Sequence, residues 1–274
     1  MSIRSALLDP LRVEPPRSLE TLAFAILALR GSQLHSTKLL SLQLSNGAWP
    51  GAPGGPPNCF HTALAVLALG ARAERGLHWL LDTEPIESHW FYKWRFRLFD
   101  RQVRFDPTKT GWPWVEGTVS WVAPTAMSIL AVHSWRRDHP RLNSAAAMLV
   151  DRACPAGGWN AGNSVVFGVH LDPHPDFTAM ALLALAVTPG VASAALLDRS
   201  LDYLATQRHS SDSAYSLAWA TLALAAHQDR RASAVRERLA ASLTINASRP
   251  LPHTAAIGAL ALEEPIFRFQ ELNP

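Results

Sequence analysis

The sequence predicts an all-α fold, namely a single-domain α/α toroid of about six helical hairpins. Two observations lead to this prediction. Six segments end in the same short apolar signature, Leu-Ala-Leu or Leu-Ala-Val, and the chain between these segments has the amphipathic spacing of helices. The signatures begin at Leu27, Leu67, Leu130, Leu183, Leu222 and Leu260. Three of the five intervals are 38–40 residues long, a period typical of repeated helical hairpins.

The signature segments are expected to form the inner layer of the fold. Each is apolar on nearly all sides, as in FHTALAVLALGA or DFTAMALLALAV. A helix of this composition is buried on more than one side. A Thr-Ala pair precedes four of the signatures, at 62–63, 125–126, 178–179 and 254–255.

Amphipathic helices between these segments are expected to form the outer layer, roughly over residues 35–43, 73–82, 142–152, 194–207 and 233–243. The last signature segment, HTAAIGALAL, is as apolar as the interior ones, whereas an open solenoid needs a polar cap at its end. This favours a last hairpin that packs against the first, with an open solenoid as the alternative. The toroid domain then spans residues 17–264, with inserts at about 84–122 and 157–175. An N-terminal extension (1–16) precedes it and a C-terminal tail (265–274) follows.

Composition excludes several classes of protein. Apolar residues make up 48% and charged residues 17%, which excludes a disordered chain. The net charge is +3 and no Lys/Arg run exceeds two residues, so no nucleic-acid partner is expected. The N-terminus lacks the apolar core of a signal peptide, and Pro189-Gly190 interrupts the apolar, uncharged stretch 177–197. We therefore expect a cytoplasmic protein.

Two turns carry a resemblance to a known family. Gln-Leu-Ser-Asn-Gly-Ala-Trp ends at Trp49, and Gly-Gly-Trp occupies 157–159. With the hairpin period and the Thr-Ala pairs, they resemble the squalene cyclase and protein prenyltransferase superfamily, whose members are terpenoid cyclase-like α/α toroids with prenyltransferase/squalene oxidase repeats. The resemblance implies a central apolar cavity that binds an isoprenoid or a similar apolar molecule. It also implies terpene cyclase-like or prenyltransferase-like chemistry, although non-catalytic binding scaffolds share such folds.

Residues 172–179 resemble the acid motif of class II terpene cyclases, Asp-x-Asp-Asp-Thr-Ala at the start of an inner helix. In this comparison the proton-donating aspartate falls on Asp176, with His174 at the first acidic position and Phe177 at the third. The resemblance implies that Asp176 is the catalytic acid, with His174 beside it. The residues alone support another interpretation, in which Asp176 caps the helix and has an unshifted or lowered pKa.

Aromatic residues are concentrated in the 84–122 insert, which holds five of the ten tryptophans. Aromatic faces stabilise cations and pack on isoprenoid chains, but they also seal long inserts against a core. The predicted substrate-binding residues are Trp112, Trp114, Trp121, Trp159, His61 and Glu116.

A zinc site is a further alternative. Phe60-His61-Thr62 resembles the inner-helix start of prenyltransferase β subunits, in which this histidine binds zinc. Catalytic zinc needs three converging protein ligands, and the Asp-x-Cys pair of that family has no counterpart upstream of His61. We therefore predict no metal and no cofactor, and keep a zinc-dependent β-like subunit as an alternative. The expected partner is an apolar small molecule, while peripheral membrane contact and oligomeric state stay open.

Overall fold

The computed structural model describes residues 2–99, 105–206, 213–245 and 250–274. Over this range the chain is mostly helical, so the predicted all-α fold is confirmed. The helices are α1 (Ile3–Val13), α2 (Leu19–Ala28), α3 (Gln33–Leu40), α4 (Cys59–Leu69), α5 (Glu74–Asp82), α6 (Trp90–Phe99), α7 (Val122–Trp135), α8 (Pro140–Asp151), α9 (Pro175–Ala186), α10 (Ala194–Thr206), α11 (Ala214–Ala226), α12 (Ala232–Ile245) and α13 (Pro252–Ala261). Two short strands, β1 (Val165–Val166) and β2 (Val169–His170), pair antiparallel. Within the described ranges, no helix has both the length and the apolar composition needed to span a bilayer.

Six helices contain the repeated signature, whole or all but its last residue, and are buried along most of their length: α2, α4, α7, α9, α11 and α13. In α9, for example, every residue from 178 to 185 is buried. Alanine and leucine, which dominate these helices, combine high helix propensity with apolar surface on all sides. The composition therefore explains both why these segments are helical and why they lie inside.

The outer helices bury one side only. In α5, Leu77 and Leu80 are buried whereas Glu74 and His78 are exposed. The predicted outer helices agree with α3, α5, α8, α10 and α12 to within three residues at each end. Residues 1–16, expected as an extension, instead contain α1, which packs mainly on α13.

The inner helices follow one another in space as they do in sequence. α2 packs on α4, α4 on α7, α7 on α9, α9 on α11 and α11 on α13. The last of them, α13, also packs on the first, α2. Arg4 of α1 strengthens this junction, because its guanidinium donates to the carbonyl oxygens of Ala259 (3.1 Å) and Ala28 (3.2 Å).

Three tryptophan turns connect outer helices to inner ones with the same geometry. The backbone N–H groups of Trp49, Trp112 and Trp159 donate to the hydroxyls of Thr62, Thr125 and Thr178 at 2.9, 2.8 and 2.9 Å. Their indole N–H groups donate to carbonyl oxygens near the ends of α3, α5 and α8, those of Leu39, Leu80 and Leu149, at 2.8, 2.7 and 2.6 Å. Each turn thus adds a side-chain donor to a carbonyl oxygen near a helix end and fixes the tryptophan against that helix. All three rings are fully buried, so Trp112 and Trp159, expected to bind substrate, are instead structural.

We expect replacement of Thr125 by valine to lower the free energy of unfolding by about 1–3 kcal/mol, because the buried N–H of Trp112 would lose its acceptor. Urea denaturation measures the effect. The matched control is Thr206→Val on the exposed end of α10, which should change stability by less than about 0.5 kcal/mol. Equal effects at the two positions would contradict the structural role of the hydroxyl.

Aromatic side chains fill the space between α2, α11 and the C-terminal segment. The ring of Trp219 lies edge-on to Phe24 at 5.7 Å and stacks on Phe269 at 6.2 Å, measured between ring centroids. Phe269 is 1% exposed and also contacts Phe267. Residues 265–274, expected to be a tail, therefore contribute to the core. The rings also occupy part of the interior in which a central cavity was expected.

Candidate functional site

The first turns of four inner helices bring polar side chains together at one end of the fold. We call this end the mouth, formed by Glu20 of α2, Asp176 of α9, Tyr215 and Ser216 of α11, and His253 of α13. Apart from the serine, these residues occupy the second position of their helices, just before the apolar run begins. Neighbouring inner helices start at this end, so their polar first turns meet.

Tyr215 connects three of these helices. Its hydroxyl donates to Glu20 Oε1 at 2.9 Å, and its ring lies edge-on to that of His253 with 5.4 Å between centroids. Burial, followed by the negative charges of Glu20 and Asp176, raises the pKa of Tyr215 well above its ordinary value. The phenol is therefore a neutral hydrogen-bond donor.

A cleft of about 490 Å³ opens beside Tyr215. It is lined by Pro16, Arg17, Ser18, Glu20, Thr21, Tyr215, Pro252 and His253. This volume lies within the range of about 300–1,000 Å³ typical of small-molecule sites. A second cleft of about 500 Å³ runs between α1 and α13 and shares Pro16, Arg17 and Pro252 with the first.

Asp176 does not cap α9. Pro175 takes the first helical position, so the N-cap residue is His174, whose side chain makes no capping hydrogen bond. The Asp176 side chain is only 18% exposed, and its Oδ1 is buried with no hydrogen-bond partner among the described residues. The capping interpretation of Asp176 is therefore wrong.

Burial raises the pKa of Asp176 above its ordinary value of 3.8, while the Ser216 hydroxyl and the His174 imidazole act in the opposite direction. The expectation of an unshifted or lowered pKa is thus wrong as well, because loss of solvation outweighs both neighbours. His174 itself is 55% exposed, with its Nδ1 3.8 Å from Asp176 Oδ2. Its ring also lies 5.5 Å from that of Phe177.

A second group of predicted residues surrounds the start of α4. His61 Nδ1 lies 2.8 Å from Asn58 Oδ1, an acceptor, so Nδ1 carries the proton and Nε2 is left as an acceptor. Burial lowers the pKa of His61 to about 4, which keeps the imidazole neutral at physiological pH. Trp114 is half-buried, with its ring 5.2 Å from that of Phe60. The structure thus brings His61 and Trp114 to the same helix start.

The other two predicted binding residues lie apart from the mouth. Glu116 is exposed. Trp121 is half-buried and packs against Gly162, where an added Cβ would come within 2.9 Å of the indole ring. Trp121 therefore supports the loop before β1.

The described residues offer no cluster of three or more His, Cys, Asp or Glu side chains that could hold a metal ion. Cys59, next but one to His61, is fully buried, and burial raises its pKa to about 12. It is thus a neutral thiol inside the core. Among the residues that the structure describes, the three-ligand donor set that a zinc-dependent prenyltransferase would need does not assemble around His61.

Sequence reasoning missed Glu20, Tyr215, Ser216 and His253. A signal for three of them is present in the repeat, because Glu20, Tyr215 and His253 each lie seven residues before the leucine of their Leu-Ala signature. Asp176 lies at the same distance from Leu183. Aligning the six signatures would have placed these four side chains at one level of the fold.

Comparisons with known proteins bear on the fold. No protein-family model matches the chain, and no curated protein matches it. Among solved structures, the chain is similar to haptocorrin in a crystal structure in complex with Cbi, with a TM-score of 0.53 and 13% sequence identity. The match covers 99% of this chain and 67% of that one. The two chains share a fold. At 13% identity, this similarity does not indicate a shared function.

Proposed function

We propose that the six hairpins close into an α/α toroid whose mouth binds an isoprenoid or a similar apolar molecule, and that Asp176 donates its proton to an oxygen atom of that ligand. Contact between α13 and α2 supports the closure. So does Arg4, which donates to carbonyl oxygens of both helices. The similarity to haptocorrin, which covers nearly the whole chain, agrees with one continuous domain.

The observation that carries the proposal is the state of the Asp176 carboxyl. Its Oδ1 is buried and unpaired among the described residues, and its raised pKa increases the fraction of molecules in which it is protonated. A protonated carboxyl can donate a hydrogen bond or a proton, and a ligand oxygen would supply the missing partner. A raised pKa also makes a weaker acid, so an epoxide or hydroxyl oxygen is a better acceptor than an alkene carbon.

The surroundings suit an elongated apolar ligand with one polar end. Tyr215 and Asp176 are close enough for the aspartate charge to raise the tyrosine pKa, so two hydrogen-bonding groups meet at the mouth. The adjoining cleft between α1 and α13 is lined largely by apolar residues, among them Leu7, Leu11 and Leu251. Asp176 itself is not among the residues that line either cleft, whereas Tyr215 lines the first. We therefore place the apolar chain of the ligand along the two clefts, with its oxygen directed past Tyr215 toward Asp176.

Ligand binding without chemistry is the second candidate. The rings of Phe24, Trp219 and Phe269 occupy part of the interior, which leaves less room for a substrate that must refold during cyclisation. A structurally similar chain, haptocorrin, has been crystallised in complex with Cbi. Product formation separates the two candidates, because only the first predicts it.

We expect replacement of His253 by tryptophan to fill the cleft and weaken ligand binding by about tenfold or more. Isothermal titration calorimetry with farnesol, geranylgeraniol and their terminal epoxides measures the affinity. The matched control is His78→Trp on the exposed side of α5, which should bind as the unmodified protein does. If none of the four probes binds the unmodified protein, the proposed function fails.

A further inference from the structure

Helix α6 exposes a contiguous aromatic face. Trp90, Phe91, Trp94 and Leu98 are 79%, 50%, 52% and 48% exposed. Residues 90, 94 and 98 follow each other at intervals of four, and residue 91 lies three before 94, so all four share one side of the helix. Scattered exposed apolar residues are common, but a contiguous patch of this kind marks an interaction surface.

The opposite side of α6 attaches the helix to the protein. Tyr92 and Phe96 are half-buried, and the ring of Phe96 lies 5.2 Å from that of Phe105. Phe105 in turn lies under the guanidinium of Arg152, which is buried at the end of α8, with 4.1 Å between the guanidinium carbon and the ring centroid. The aromatic face therefore points away from a side that is already anchored.

Basic residues flank this face. Residues 90–99 contain three basic residues and no acidic one. At 100° per residue, Lys93 lies on one border of the aromatic face and Arg95 on the other. A helix with exposed tryptophan and phenylalanine between basic borders matches the chemistry of the bilayer interface, where aromatic rings insert and Lys/Arg meet anionic headgroups.

The position of α6 relates this face to the mouth. The short helical turn Ile86–Ser88 that precedes α6 is tied to Thr118, because Ile86 N donates to Thr118 O at 3.0 Å. In the same loop, Trp114 O accepts from Cys59 N at the start of α4, also at 3.0 Å. The helix thus lies at the end of the fold where the inner helices begin.

We propose that α6 is an interfacial helix that docks the protein on an anionic lipid surface. A second copy of this chain fits less well, because two positively charged faces would oppose each other. A neutral apolar partner would leave the flanking charges without a counterpart. Docking through α6 does not require Asp176 to act on a ligand.

Vesicle co-sedimentation tests the proposal. We expect the protein to bind vesicles of phosphatidylcholine with phosphatidylserine about tenfold more tightly than vesicles of phosphatidylcholine alone, and to dissociate at high salt. The double variant Trp90→Ser/Phe91→Ser should lose at least about tenfold in affinity, and Lys93→Glu/Arg95→Glu should abolish the preference for phosphatidylserine. Circular dichroism confirms that each variant is folded.

The matched control is Phe167→Ser/Val169→Ser, which removes two exposed apolar side chains (71% and 62% exposed) from the β1–β2 hairpin. It should bind vesicles as the unmodified protein does. Vesicle binding that the α6 variants leave intact would overturn the proposal. So would a dimer in analytical ultracentrifugation that Trp90→Ser/Phe91→Ser converts to monomer, since the face would then serve self-association.

Discussion

Replacement of Asp176 by asparagine is expected to lower turnover of an isoprenoid epoxide by about 10²–10⁴-fold, the usual contribution of a general acid. The asparagine keeps the size of the side chain but has no proton of suitable acidity to donate. Product analysis by gas chromatography with mass spectrometry measures the effect. Unchanged product formation would remove Asp176 from the chemistry and favour the binding-only candidate.

The same variant is expected to be more stable than the unmodified protein at high pH. Because burial raises the Asp176 pKa, the folded protein holds more protons than the unfolded chain as pH rises from 3.8 through the raised value. Stability therefore falls across that window, and asparagine, which is never charged, avoids the loss. Below pH 3.8 the difference should vanish.

Thermal denaturation across this pH range measures whether Asp176→Asn is more or less stable than the unmodified protein. The matched control is Asp172→Asn, the same change four residues earlier at an exposed position, which should shift neither activity nor stability appreciably. An Asp176→Asn variant that is less stable than the unmodified protein at all pH values would indicate a structural role for the carboxylate.

Replacement of Phe269 by alanine is expected to lower the free energy of unfolding by about 3–5 kcal/mol, the range for large-to-small changes at buried aromatic positions. The ring is 1% exposed and stacks on Trp219, so its removal leaves a cavity between α11 and the C-terminal segment. Urea denaturation gives the value. Phe167→Ala, at a position 71% exposed, is the control and should cost less than about 0.5 kcal/mol. A cost below about 1 kcal/mol for Phe269→Ala would mean that the C-terminal segment is dispensable.

The repeat made the helical layers predictable. The Leu-Ala signature located the buried helices, and amphipathic spacing located the outer ones, because each pattern reports which sides of a helix meet solvent. The sequence patterns did not predict the contribution of two elements at the ends of the chain. α1 contains Pro10 and no signature, and the C-terminal segment has no periodic pattern, so only tertiary contacts reveal that both are partly buried.

The site was less predictable for reasons specific to each residue. Tryptophan suits a buried turn and a ligand cavity equally well, and only the acceptors of Trp112 and Trp159 distinguish these roles. Asp176 could have been judged better from sequence, because proline favours the first helical position and so makes the preceding residue, His174, the N-cap. The raised pKa of Asp176 depends on burial, which local sequence does not encode.

Contact between α2 and α13 has a consequence for biosynthesis. Arg4 and Ala259, which meet at this junction, are 255 residues apart in the chain. While the polypeptide is being translated, α2 lacks one of its two inner-helix neighbours until residues 252–261 leave the ribosome, so an apolar surface stays open to water or to chaperones. Such distant pairing slows folding, because the junction cannot close until both helices are available to pack.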